Sequence, residues 1–274
     1  MKSAICLICF KPHDEWIRFL ASFTHYDIFV IIDDNSSDYV SSNTGIRYAQ
    51  VSHESCVGNG FLGINFLFHN PTGWEKALYY FTHVMKDYER VWFLEEDVFF
   101  YSEQTLSDID KGAQGDLVTA PYTKCVDGKK DQDGNEWLWG KITVAFEPPY
   151  YHGMVCASRM SRALLNAIDT YAKENKTLFF LEALFPTICH KEGLLHETPS
   201  QMETVLWKMD YDIATFTKDK MYHPVKEMEQ HGVIRKRLSV SVSGMNGGAK
   251  TRRRRRRYRI RNVKGRYKMR SRRN

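Results

Sequence analysis

The chain has 274 residues, 43% hydrophobic and 14% aromatic, a composition that suits a globular protein with a real core and allows one large α/β domain or two small ones. Its 39 Lys and Arg against 33 Asp and Glu give a net charge of +6, but 15 of those bases and no acid fall in residues 249–274, leaving 24 bases against 33 acids (−9) for the rest. The basicity therefore belongs to the tail, and the body lacks the basic, aromatic-rich face expected of a nucleic-acid-binding protein.

Residues 1–10 are apolar and are followed at once by Lys11 and Pro12. The run is too short to span a membrane and has no cleavage region, so it reads as a buried first strand. No other run approaches spanning length, which predicts a soluble, cytoplasmic protein that is not secreted. Cys6 and Cys9 form a CxxC, but on a strand they face opposite sides and no second pair completes a zinc site. The six cysteines are expected to be buried free thiols, as a reducing compartment allows. Trp16, Ile17, Leu20 and Phe23 predict a helix over 14–23, and the apolar run at 26–36 predicts a second strand, ending in Asp33 and Asp34. Strand, helix and strand in quick succession imply a βαβ unit, whose ligands collect at the carboxyl ends of the strands.

A third strand is expected within 46–52, loops over 57–72, and an amphipathic helix over 73–88 carrying Trp74, Ala77, Leu78, Phe81 and Met85. The helix leads into residues 91–101, VWFLEEDVFFY, the pattern of a buried central strand. Glu95, Glu96 and Asp97 interrupt it, and three adjacent carboxylates are costly to bury without a positive partner. They read either as a divalent-cation site or as acids marking where the strand meets solvent. Another strand is expected at 116–121 and an exposed loop at 123–136. Trp137 and Trp139 could form a sugar-stacking platform, but their spacing favours core packing. A strand over 150–158 and a helix from Ser161 to 171 follow.

In residues 178–190, LFFLEALFPTICH, Glu182 stands among apolar neighbours. Burial there raises a carboxyl pKa toward the range useful to a general base, while pairing with Lys191 is the plainer alternative. In MYHPVK, Pro224 holds His223 extended, where it could serve as a metal ligand with Lys226 as a phosphate partner. These boundaries divide the chain into a catalytic domain at 1–238, a Gly/Ser-rich flexible linker at 239–249 and a disordered Arg/Lys-rich tail at 250–274. The tail is expected to bind polyanions or acidic membrane surfaces without specificity.

Taken in order, the opening strand, IIDDNSSD, VWFLEEDVFF, the apolar helix with Glu182 and the late histidine in MYHPVK resemble the GT-A family of nucleotide-sugar-dependent glycosyltransferases, over roughly residues 3–230. That resemblance implies a single Rossmann-like α/β domain, with a mainly parallel central sheet flanked by helices. It implies a DxD-type motif at Glu95-Glu96-Asp97, with Glu in place of the first Asp. Mn²⁺ or Mg²⁺ would sit on Asp97, Glu95 and His223. Asp33 or Asp34 would contact the nucleoside, Glu96 and Lys226 would complete the nucleotide-sugar site, and Glu182 would be the acceptor-side base of an inverting enzyme. The partners implied are a nucleotide-sugar donor and a glycan or glycoprotein acceptor. The arginine-rich tail also resembles, in composition, proteins of large DNA viruses of algae and amoebae, which would place the protein in host cytoplasm. The rival enzyme is a nucleotidyltransferase acting on a sugar phosphate, but KPHDEW after the first strand lacks that class's glycine-rich phosphate loop. The rival without catalysis is a polyanion-binding protein.

Overall fold

The apolar runs at the start of the chain and at 90–95 lie side by side at the centre of a seven-stranded sheet. The structure, a computed structural model, describes residues 2–40 and 45–240. Its strands are β1 (Ser3–Cys9), β2 (Asp27–Ile32), β3 (Arg47–Ala49), β4 (Arg90–Glu95), β5 (Leu117–Val118), β6 (Tyr122–Cys125), β7 (Tyr150–Gly153), β8 (Ala157–Ser161) and β9 (His196–Glu197). Its helices are α1 (Asp14–Leu20), α2 (His53–Gly58), α3 (Gly73–Tyr79), α4 (Glu103–Gly112), α5 (Arg162–Asn175), α6 (Leu181–Lys191) and α7 (Met228–Val240). The main sheet runs β3-β2-β1-β4-β8-β5-β9, and all its strands are parallel except β8, which is antiparallel to both neighbours. Strands β6 and β7 form a separate antiparallel pair. The molecule is thus α/β with a mainly parallel sheet between helices.

Both faces of the sheet are covered, which is why its strands read as unbroken apolar runs. Successive residues of β1 feed alternate faces: Ala4, Cys6 and Ile8 join a core with α3, α5 and α6, while Ile5, Leu7 and Cys9 join one with α1 and α4. The two cysteines of the CxxC therefore point apart, and all six cysteines are free and buried. At the first layer's centre Cys6 is level with Phe29 on one side and Phe93 on the other.

Several elements differ from the sequence reading. The helix expected over 73–88 widens after Tyr79 and finishes as a π turn, Tyr80–Val84, with Met85 N donating to Tyr80 O at 2.8 Å. The run at 91–101 leaves the sheet after Glu95, because Val98 N turns back to Glu95 O and Phe99 pairs instead with Tyr222. The strand expected over 150–158 is two, β7 and β8, in different sheets, and at Gly153 a Cβ would lie 2.9 Å from Pro121 O. Three helices appear that the pattern did not announce, α2 and α4, and later in the chain α7. The latter packs Ile234 and Leu238 against Phe99, Phe216 and Tyr222, and runs to Val240, past the boundary expected at 238. The rest of the expected linker, 241–249, and the whole basic tail, 250–274, lie outside the described residues. No helix among the described residues is long and apolar enough to cross a membrane.

Candidate active site

Because β1, β2 and β4 are parallel, their carboxyl ends share one edge, and the acids that follow β2 and β4 meet there. A cleft of about 400 Å³ opens at that edge, lined among others by Phe10, Asp33, Glu95, Glu96, Asp97 and Lys226. Gly73 lets α3 press against the strand ends, since a Cβ there would fall 2.7 Å from Ile8 Cγ2.

Two carboxylates of the cleft are clamped by a side chain. Lys76, fully buried on α3, reaches Asp33 Oδ1 at 2.6 Å and donates to the Asp33 carbonyl at 2.7 Å. Trp74 Nε1 donates to Glu95 Oε1 at 2.6 Å, yet burial still pushes the Glu95 carboxyl up, helped by Asp97 beside it. Burial and Asp97 also raise the carboxyl of Glu96, whose backbone carbonyl accepts from Trp16 Nε1 at 2.7 Å. Asp34 does not line the cleft. Its oxygens accept from Ser36 N and Tyr39 OH and pair with Lys11 Nζ at 3.3 Å, and these contacts hold its carboxyl well below the usual range. Of the two adjacent acids, only Asp33 is therefore available to a ligand in the cleft.

His223 arrives from the other end of the chain. Its Nδ1 lies 2.6 Å from the Leu206 carbonyl, which can only accept, so Nδ1 carries the proton and a neutral ring presents an Nε2 lone pair. Nε2 lies 3.3 Å from Asp97 Oδ1, a buried oxygen that accepts no hydrogen bond. Burial pushes the imidazole down, but Asp97 and Glu95 outweigh it and raise the pKa overall. One donor atom each from Glu95, Asp97 and His223 lie within 4.8 Å of one another. Two carboxylate oxygens and an imidazole nitrogen, converging with no donor between them, form a donor set that suits a divalent cation.

Glu182 lies in the first turn of α6, half-buried. Burial, then the charge of Glu95, push its carboxyl up to about 7. Further along the helix, Pro186 has no N–H to give the carbonyl of Glu182. Glu182 lines a cavity of about 220 Å³ together with Glu95, Asp97, His223 and Lys226. It also lines a groove of about 480 Å³ with Trp137, Leu138, His152, Phe180 and Trp207. The structure thus brings Asp33, Glu95, Glu96, Asp97, Glu182, His223 and Lys226 around connected spaces and leaves Asp34 apart.

Trp139 is core, and Trp137 packs half-buried against that core while its ring also forms part of the groove wall. Lys76, Trp74 and Trp207 carry no signal in the sequence that would have singled them out.

No family model matches the chain and no curated protein matches it. Among solved structures it is similar to the 4-diphosphocytidyl-2C-methyl-D-erythritol synthase of Anaerococcus prevotii DSM 20548, at 12% identity over 86% of this chain and 95% of that one, with a TM-score of 0.44. A likeness of that degree carries no argument about activity.

Proposed function

We propose that the protein is a glycosyltransferase that moves a sugar from a nucleoside-diphosphate donor to an acceptor hydroxyl. The observation that carries this reading is the placement of Glu182: a carboxylate with a pKa near 7 borders the same cavity as Glu95, Asp97 and His223. A general base works best with a pKa near the operating pH. In the step proposed, Glu182 takes the proton of the acceptor hydroxyl while its oxygen bonds to the anomeric carbon. The bond from that carbon to the diphosphate breaks, and its electron pair leaves on the diphosphate oxygen. A single displacement of this kind inverts the anomeric configuration.

On the donor side, Asp33, fixed by Lys76, accepts hydroxyl or base hydrogens of the nucleoside, and Glu96 lines the same cleft. Lys226, exposed and bordering both donor-side spaces, pairs with the diphosphate. Mn²⁺ or Mg²⁺ fits the donor set of Glu95, Asp97 and His223, and when bound it supplies the positive charge that makes a diphosphate a better leaving group.

The test is a screen of UDP-, GDP- and TDP-sugars with Mn²⁺, read by thermal stabilisation and by product. Release of a nucleoside diphosphate supports the proposal. Release of pyrophosphate from a nucleoside triphosphate and a sugar phosphate would instead make the protein a nucleotidyltransferase. Against that rival, residues 10–13 between β1 and α1 hold no glycine with which to wrap a triphosphate, and His13 is committed to capping α1.

A further inference from the structure

None of the donor-side carboxylates lines the 480 Å³ groove that Glu182 shares with the aromatic residues. We infer that this groove is the acceptor subsite, and that its occupant is a saccharide ring stacked on aromatic faces with one hydroxyl at Glu182. The inference rests on the glycosyltransferase reading above and adds to it the chemical class of the acceptor.

Four observations support it. First, the lining is apolar and aromatic with no lysine or arginine, and its only ionisable groups are Glu182 and His152. Burial pushes His152 down, so that ring is neutral at physiological pH. Such walls offer nothing to a phosphorylated or acidic ligand. They suit a pyranose, whose apolar C–H face lies on an aromatic ring while its hydroxyls stay at the edge. Second, Trp207 is 72% exposed, and its ring meets the Lys208 ammonium, 5.1 Å from the ring centroid. It borders the groove together with Trp137 and Phe180, so its apolar surface belongs to a shared wall and does not stand alone. Third, Trp137 is held at φ +43°, a strained conformation for a residue with a side chain, and its ring is stacked on His152 at 4.2 Å and 17°. Its face is thus set in advance, and a stacking platform needs that rigidity to gain affinity. Fourth, Trp207 and Glu182 border both the groove and the cavity beside Asp97 and His223, so the groove continues directly into the reacting centre.

The measurement is saturation-transfer NMR on the full chain. Its probes are the methyl glycosides of the common hexoses and N-acetylhexosamines, each also supplied as the octyl glycoside. At least one methyl glycoside is expected to bind, Trp207→Ala to weaken it about tenfold, and Trp207→Phe to restore most of the loss. Trp207 lies outside the core, so the alanine variant is expected to keep the wild-type melting temperature. The inference is overturned if no methyl glycoside binds, or if Trp207→Ala binds as well as wild type. It is equally overturned if only the octyl forms bind, which would make the occupant an apolar chain. Mn²⁺-dependent binding of UDP, GDP and TDP by the wild type is measured in parallel. Its absence beside retained saccharide binding would remove the donor reading alone, whereas nucleotide binding without saccharide binding would remove this one alone.

Discussion

The two spaces that meet at Glu182 are built on different plans. On the proposed donor side the acids follow strand ends while His223 and Lys226 come from a later loop, and three groups have a buried clamp: Lys76 for Asp33, Trp74 for Glu95, the Leu206 carbonyl for His223. On the acceptor side the walls come from the β6–β7 pair, the long connection between them and an exposed tryptophan. That pair is tied to α6 through Thr187, whose hydroxyl accepts from Tyr151 N and donates to Tyr151 O. Charge has to be positioned to a fraction of an ångström, because its energy falls steeply with geometry and water competes for it. Stacking tolerates sliding. The strand ends accordingly hold carboxylates, and the β6–β7 side holds rings.

The comparison breaks most sharply at Asp97. Asp97→Asn keeps shape and removes charge, so metal-dependent turnover should fall by about 10³ and Mn²⁺-dependent nucleotide binding should disappear in calorimetry. Unchanged nucleotide affinity would remove Asp97 from the donor set. Next in size, Glu182→Gln should lower turnover by about 10² or more while donor affinity holds, since it deletes the base and leaves the donor-side clamps untouched. The same residue sets the pH profile. With a carboxyl near 7, the active base form grows as pH rises, so turnover should climb through about pH 7 and level off above it, and this rise should vanish in Glu182→Gln.

Lys76→Met probes the donor clamp itself. It leaves Asp33 without its buried partner and should cost about 2 kcal/mol in stability, seen in urea unfolding, with weaker nucleotide binding as the functional trace. A smaller effect sharpens the reading of Glu182. Its folded-state pKa lies above the unfolded value, so the native state holds the extra proton between about 4.5 and 7, and the stability it confers is lost as pH rises through that window. Measured without divalent metal, Glu182→Gln should therefore gain melting temperature over wild type from low pH to about pH 7 and no further. Removing residues 249–274 should move neither side of the comparison: transfer to a small acceptor stays, and salt-sensitive retention on heparin is lost.

Much of the donor side was legible because parallel strands buried on both faces must be apolar throughout, so an acid at their end stands out. Glu95, Glu96, Asp97 and Asp33 were found that way, and Glu182 by the same contrast within a helix. Asp33 and Asp34 could not be told apart, since only the fold shows which faces the cleft and which ties the following turn. Lys76 was invisible: one lysine in an amphipathic helix reads as solvated, and its partner is 43 residues away. The aromatic groove was equally hidden, because residues from 121–154, 180–182 and 207 converge there and no one stretch carries the pattern. Helix α7 escaped notice because few of its residues are apolar, so its buried His231, Ile234 and Leu238 make only a thin stripe.

Trp74 gives the two halves a fixed spacing. Its indole nitrogen holds Glu95, and its ring sits 5.5 Å from that of Phe185 on α6, the helix that carries Glu182. The gap between Glu95 and the helix that carries Glu182 is thus bridged within the core. For protein engineering this separates that spacing from the groove wall, while Trp139, Ile142, Val144 and Phe146 anchor the β6–β7 connection to the core. On the reading proposed above, replacing Trp137 and Leu138 should change what the groove accepts without moving the Trp74 bridge between Glu95 and α6.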